Sequence, residues 1–139
     1  MIVLIDVDVL IDVALDRSPF GEHAAALLNE LERRPGSSYV AWHSLSNFYY
    51  LVSPVRGKGT AREFLLDLCR FADVAPASTR SFRYATSLPL RDFEDALQVA
   101  AATACGADVI ATRNTRDYAA SPVRAAKPED VARDLRLGV

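Results

Sequence analysis

At 139 residues the chain is long enough for one domain with a sizeable buried core. Hydrophobic residues make up 50% and charged residues 24%, the ordinary balance of a soluble globular protein, and no apolar run approaches the roughly 18 residues of a membrane span. A formal net charge of −2 excludes a surface that grips nucleic acid non-specifically all round, although it leaves room for a local basic patch.

The opening MIVLID has no basic leader and an early acid, so it reads as a strand that starts at once and not as a secretory signal. A continuous apolar run ending in Asp6 is the pattern of a central strand covered on both faces. Val7 to Asp16 then carries Leu10, Val13 and Ala14 at helical spacing. Ser18-Pro19 interrupts, and Phe20 to Arg34 is an amphipathic helix closed by Pro35-Gly36. Tyr39 to Trp42 is a short second strand. Ser44 to Val52 is a helix that the sequence expects Ser53-Pro54 to stop.

Lys58 begins another helix, with Thr60 expected as its cap and Phe64, Leu65, Leu68 and Phe71 as its apolar stripe. Asp73 to Ala77 is a third strand, expected at the sheet's periphery because Pro76 has no ladder donor. Ser78 to Leu88 is a helix capped by Ser78 or Thr79. Asp92 and Asp95 open the next helix, Gly106 ends it, and Asp108 to Thr112 is a buried strand. A polar loop, Arg113 to Asp117, follows at that strand's carboxyl end. An extended piece near Val123 to Ala126 and a helix from Pro128 to Leu135 complete the chain. Alternating strands and helices without repeats or linkers predict a single α/β domain around a parallel sheet.

Cys69 and Cys105 belong to no CxxC or Cys/His pair, so both read as buried small residues in a reducing compartment, the cytoplasm. Lys58 and Lys127 are the only lysines. Arginine is used far more, and its fork suits phosphate recognition.

The acids carry the chemistry. In an open parallel sheet, helix N-termini and the loops after strands meet along one edge, where ligands bind. Asp6, Asp95 and Asp117 all fall at that edge, with Asp92 and Asp8 as outer candidates. Carboxylates so gathered repel one another unless a cation neutralises them, and hard oxygen donors suit Mg²⁺ or Mn²⁺. Each acid also has a plainer reading. Asp92, Glu94 and Asp95 complement a helix dipole in any protein, and Asp117 can simply close a turn. Ser44 and Ser46 read as caps, His23 and His43 as solvated or capping, and the aromatic residues from Tyr39 to Tyr50 as packing.

The segments LIDVDVLIDVAL, RDFEDALQVAAA and DVIATRNTRDY together resemble the PIN-domain family, the metal-dependent ribonuclease fold of VapC-type toxins. The resemblance implies a three-layer α/β/α sandwich, Mg²⁺ or Mn²⁺ at the carboxyl edge, hydrolysis of RNA, an antitoxin that blocks the site, and a homodimer. It places Asp6 as the first acid and Asp95 as the acid opening the later helix. The family's usual Glu falls on Asn47. The fourth acid is left open between two positions: Asn114 stands where many members have Asp, and Asp117 is the candidate to supply that charge three residues later. Asp8 departs as well, since Asn or Ser is more usual there. The resemblance puts Thr112, Arg113, Asn114 and Arg116, with Asn47, beside the substrate.

Two other readings stand beside this one. Asp6-Val7-Asp8-Val9 resembles the signature of haloacid-dehalogenase phosphatases, which also need a lysine in a context that neither Lys58 nor Lys127 offers. Asn47 and Asn114 would also suit a PIN-fold binding module with a degraded site. The helices around Phe48 to Leu51 and Phe64 to Phe71 carry more large apolar residues than one small core needs, which predicts a homodimer.

Overall fold

The computed structural model describes Met1–Gly138. Five strands form one sheet: β1 (Val3–Ile5), β2 (Ser38–Val40), β3 (Ala72–Val74), β4 (Val109–Ala111) and β5 (Ala125–Ala126). Their order is β3-β2-β1-β4-β5 and every pairing is parallel. Seven helices cover it: α1 (Val7–Ala14), α2 (Phe20–Glu32), α3 (Trp42–Arg56), α4 (Lys58–Leu68), α5 (Thr79–Ser87), α6 (Phe93–Ala104) and α7 (Pro128–Leu137).

Side-chain alternation along the strands divides the core in two. Val3 and Ile5 of β1, Val40 of β2 and Val109 of β4 face residues of α1, α2, α3, α4 and α7, among them Leu10, Leu27, Phe48 and Leu135. Leu4 and Ile110 face the opposite way, onto Val99 and Ala102 of α6. The small residues of α6 continue outward to Ala85 of α5 through Ala96 and Ala100. The result is the expected three-layer α/β/α sandwich. MIVLI is apolar throughout because β1 is central and buried on both faces.

The order of strands fixes where a ligand can bind. From β1 the chain steps to β2 and β3 on one side, then returns to lay β4 on the other side of β1. The reversal leaves a crevice beyond the carboxyl ends of β1 and β4, the topological switch point of an open sheet. Ile5 and Ala111 are partners in register there, and Asp6 N–H donates to the Ala111 carbonyl at 2.9 Å.

Several local expectations are corrected. Pro54 lies inside α3, which runs on to Arg56 and stops at Gly57, where φ is +93°. The proline costs only one donor near the helix end, and the turn it faces is at the surface, where Tyr50 is 72% exposed. The extra turn brings Arg56 Nε to the Ala14 carbonyl at 3.0 Å, satisfying an orphan acceptor at the end of α1. Trp42 belongs to α3 and not to β2. Gly57, not Thr60, precedes α4, with no side-chain cap bond. Cys69 is exposed and Cys105 half-buried, against the expectation that both are buried. β3 is an edge strand as expected, but Pro76 lies beyond it.

Candidate functional site

At the switch point a cleft of about 220 Å³ is lined by Asp6, Val7, Asp8, His43, Asn47, Asp92, Glu94, Asp95, Gln98, Asn114 and Asp117. Six of these residues are acids, and they come from separate stretches of chain. Asp6 and Asp8 follow β1, Asp92 to Asp95 open α6, and Asp117 lies in a 3₁₀ turn (Thr115–Tyr118) after β4. Asn47 of α3 forms part of the wall.

Asp6 is held hardest. It is 7% exposed and sits in extended conformation as the residue capping α1. Its Oδ1 accepts from Val7 N–H at 2.7 Å and from the Gln98 amide at 3.0 Å, and its Oδ2 accepts from the Tyr118 hydroxyl at 3.0 Å. Burial raises its pKa above the usual carboxylate range, and these donors partly offset the rise. Asp8 is fixed by Oδ2, which accepts from the Thr112 hydroxyl, the Arg113 backbone and the Asn114 amide at 3.1, 3.2 and 3.1 Å. Its Oδ1 is buried without a partner. Burial, followed by the Asp6 charge, pushes Asp8 up to about 7.

Across the cleft, Asp92 caps α6 by accepting from Glu94 and Asp95 N–H at 2.8 and 3.3 Å. Burial and the charges of Asp92 and Asp6 push Asp95 up to about 6, while hydrogen bonding to Tyr118 pulls the other way. Every carboxylate with a shifted pKa here is shifted toward its neutral form, Asp6 by burial and Asp8 and Asp95 by burial together with their acidic neighbours. The donor set is the hard, anionic one that a divalent cation neutralises. As the side chains are placed, among the described residues no three His, Cys, Asp or Glu side chains stand close enough together to enclose such an ion. The acids surround the cleft without closing on a point.

The other sequence candidates divide. Thr112 is fully buried; its hydroxyl donates to Asp8 and accepts from Asn114 N–H at 3.1 Å, so it shapes the cleft from behind. Arg113 turns its guanidinium away, onto Asp12 at 2.7 and 3.1 Å and over the Phe20 ring at 4.5 Å. Asn114 lines the cleft, while Arg116 lines a neighbouring groove.

Sequence reasoning did not single out Gln98 or Tyr118, the two side chains that orient Asp6. Gln98 is 3% exposed, and besides Asp6 its amide donates to Ser44 Oγ at 2.8 Å, leaving its own Oε1 buried without a partner. Ser44 is therefore a buried acceptor and not the expected cap; Ala41 precedes α3. His43 is half-buried with Nε2 unpartnered, and burial lowers its pKa. The signal for Gln98 was present: it is the lone polar side chain in ALQVAAA, one turn beyond Asp95.

A family model described as the PIN domain matches residues 2–116. The chain belongs to the PIN-domain family. That membership removes the phosphatase reading of Asp6 and Asp8. No curated protein matches this PIN domain in sequence. Solved structures share its fold at low identity. VapBC2 from Rickettsia felis, bound to a DNA fragment from its promoter, is 15% identical with a TM-score of 0.70, covering 91% of this chain and 98% of that one. A toxin–antitoxin complex from Klebsiella pneumoniae is 19% identical with a TM-score of 0.68, covering 91% and 97%. FitAcB from Neisseria gonorrhoeae is 17% identical with a TM-score of 0.65, covering 91% and 98%.

Proposed function

We propose that this PIN domain is a Mg²⁺- or Mn²⁺-dependent endoribonuclease and the toxin of a toxin–antitoxin pair, acting in the cytoplasm. The observation that carries the reading is the convergence of Asp6, Asp92, Asp95 and Asp117 on one cleft at the switch point of the sheet. The toxin assignment draws on the family and on the toxin–antitoxin complexes that share the fold. Asp6, Asp95 and Asp117, with Asp92 behind them, would hold the ion only by drawing in from the walls of the cleft, since no three acids among the described residues stand close enough as placed. When bound, a divalent cation lowers the pKa of a water and stabilises the added negative charge of a phosphodiester transition state.

The chain's own residues prepare the site. Tyr118, Gln98 and Val7 N–H fix the Asp6 carboxylate in orientation, so little reorganisation is needed when charge develops. Asp8 holds the loop after β4 through Thr112, Arg113 and Asn114, which positions Asp117. Asn47 offers an oxygen without charge where the resemblance implies an acid, and this lowers the affinity for the ion. The test is cleavage of a structured RNA by the purified protein with Mn²⁺ and with a chelator. Cleavage that needs Mn²⁺ supports the reading. RNA or protein binding without cleavage would favour a binding module with a degraded site, for which Asn47 and Asn114 in the cleft wall speak.

A further inference from the structure

Beside the acidic cleft runs a second groove, of about 300 Å³, lined by Arg113, Asn114, Thr115, Arg116, Asp117 and Lys127. It shares Asn114 and Asp117 with the cleft as lining residues, so the two adjoin. Its cations come from two elements. Arg116 lies in the 3₁₀ turn. Lys127 is placed by the sheet: Ala126 pairs with Ala111, Thr112 N–H donates to the Ala126 carbonyl at 3.0 Å, and Lys127 follows directly as the residue preceding α7.

The charges here are unspent. Arg113, the third cation of the groove, faces Asp12, whereas among the described residues Arg116 and Lys127 are in no ion pair, a state they share with Lys58 and with Arg56, Arg62, Arg70, Arg80, Arg83 and Arg91 elsewhere on the chain. The acids in the first turn of α7 do not quench Lys127 by pairing with it. Glu129 faces His23 at 3.6 Å and Asp130 faces Arg133 at 3.3 Å. The carboxylate on the groove is Asp117, at the boundary with the cleft.

We infer that this groove is a phosphate-binding subsite, in which Lys127 and Arg116 hold the backbone of single-stranded RNA next to the phosphodiester in the acidic cleft. The inference rests on the nuclease reading for the identity of the polyanion. It answers a physical difficulty of that reading. A chain of net charge −2 with six acids around its cleft repels RNA, and cations in the adjoining groove supply the local compensation. Arg113 contributes framework, because Asp12 already holds its fork.

The experiment measures binding of a short labelled oligouridylate to the Asp95→Asn protein across a KCl series, in Mn²⁺. Lys127→Gln should weaken binding at low salt and reduce the slope of log K against log salt by about 0.7, the value for one phosphate contact to a single strand. Arg116→Gln should do the same, and the double variant should lose about twice as much. Lys127→Arg should keep the slope. Lys58→Gln, at the start of α4 and outside both grooves, should change nothing. An unchanged slope for Lys127→Gln, an equal loss for Lys58→Gln, or no RNA binding by the parent protein would overturn the subsite. Wild-type cleavage is scored separately. A Lys127-dependent slope without cleavage leaves the subsite standing and removes the nuclease, and cleavage without the slope change does the reverse.

Discussion

Tyr118 shows how much of the site rests on residues that do no chemistry. Its ring is buried in the cluster that holds Leu4 and Ile110, and its hydroxyl reaches Asp6 Oδ2 from that anchored position. Burial and the charges of Asp6 and Asp95 raise its pKa, so it remains a donor throughout the working range. Tyr118→Phe keeps the packing and strands a buried carboxylate oxygen. The expected cost is about 1–3 kcal/mol in urea unfolding of the metal-free protein, together with slower cleavage. An unfolding curve identical to wild type would show that Asp6 does not depend on this hydrogen bond. Protonation gives a second residue-scale prediction. Asp8 and Asp95 are raised to about 7 and about 6, so the folded chain binds protons more tightly than the unfolded one. Such groups stabilise the fold below the ordinary carboxylate range, and that stability is lost as pH rises through their folded values. The metal-free protein should therefore melt at a lower temperature near about pH 8 than near about pH 5. Mn²⁺ should raise the melting temperature more at the higher pH, where the ligands are deprotonated. A metal-free melting temperature that climbs over this interval would contradict the assignment.

Elements were legible in the sequence where one residue decides a boundary. Ser78 caps α5 through Ser81 N–H at 3.2 Å, and Gly106 ends α6 with φ at +69°. The apolar runs within MIVLID and DVIAT stand out as buried strands because both faces of β1 and β4 are covered. Pro54 was misleading, because a proline's effect depends on whether water can reach the carbonyl it frees, and only the folded surface reveals that. Pro54→Ala restores a backbone donor to the last turns of α3. It should stabilise the protein by about 1 kcal/mol in denaturant unfolding; a loss of stability would mean that the ring itself is packed. In the site, the acids could be placed because each follows a strand or opens a helix. Tyr118 and Ser44 could not, and Gln98 was marked by its polarity but not by its partners, since these roles arise from contacts 54 to 112 residues apart along the chain. The loop after β4 drew attention through Arg113, whose charge in the fold serves Asp12.

At the scale of the molecule, the apolar surplus of α3 and α4 is only partly explained by the core. Phe48 is fully buried and stacks on Phe64 at 4.8 Å, but Tyr50, Leu51, Val55 and Leu66 are all more than half exposed. Exposed apolar side chains on adjoining helices are suited to a second copy of the chain. We expect a homodimer in light scattering, shifted toward monomer by Leu66→Glu. A strict monomer at high concentration would leave that surface to another partner. The assembly does not alter the central claim, which concerns one cleft and its acids. That claim is tested most directly by cleavage of a structured RNA in Mn²⁺, wild type beside Asp95→Asn. The substitution keeps the shape of the side chain, removes one anionic ligand and relieves repulsion with Asp92 and Asp6, so the variant should stay folded and lose cleavage. Cleavage by Asp95→Asn at the wild-type rate would contradict the account.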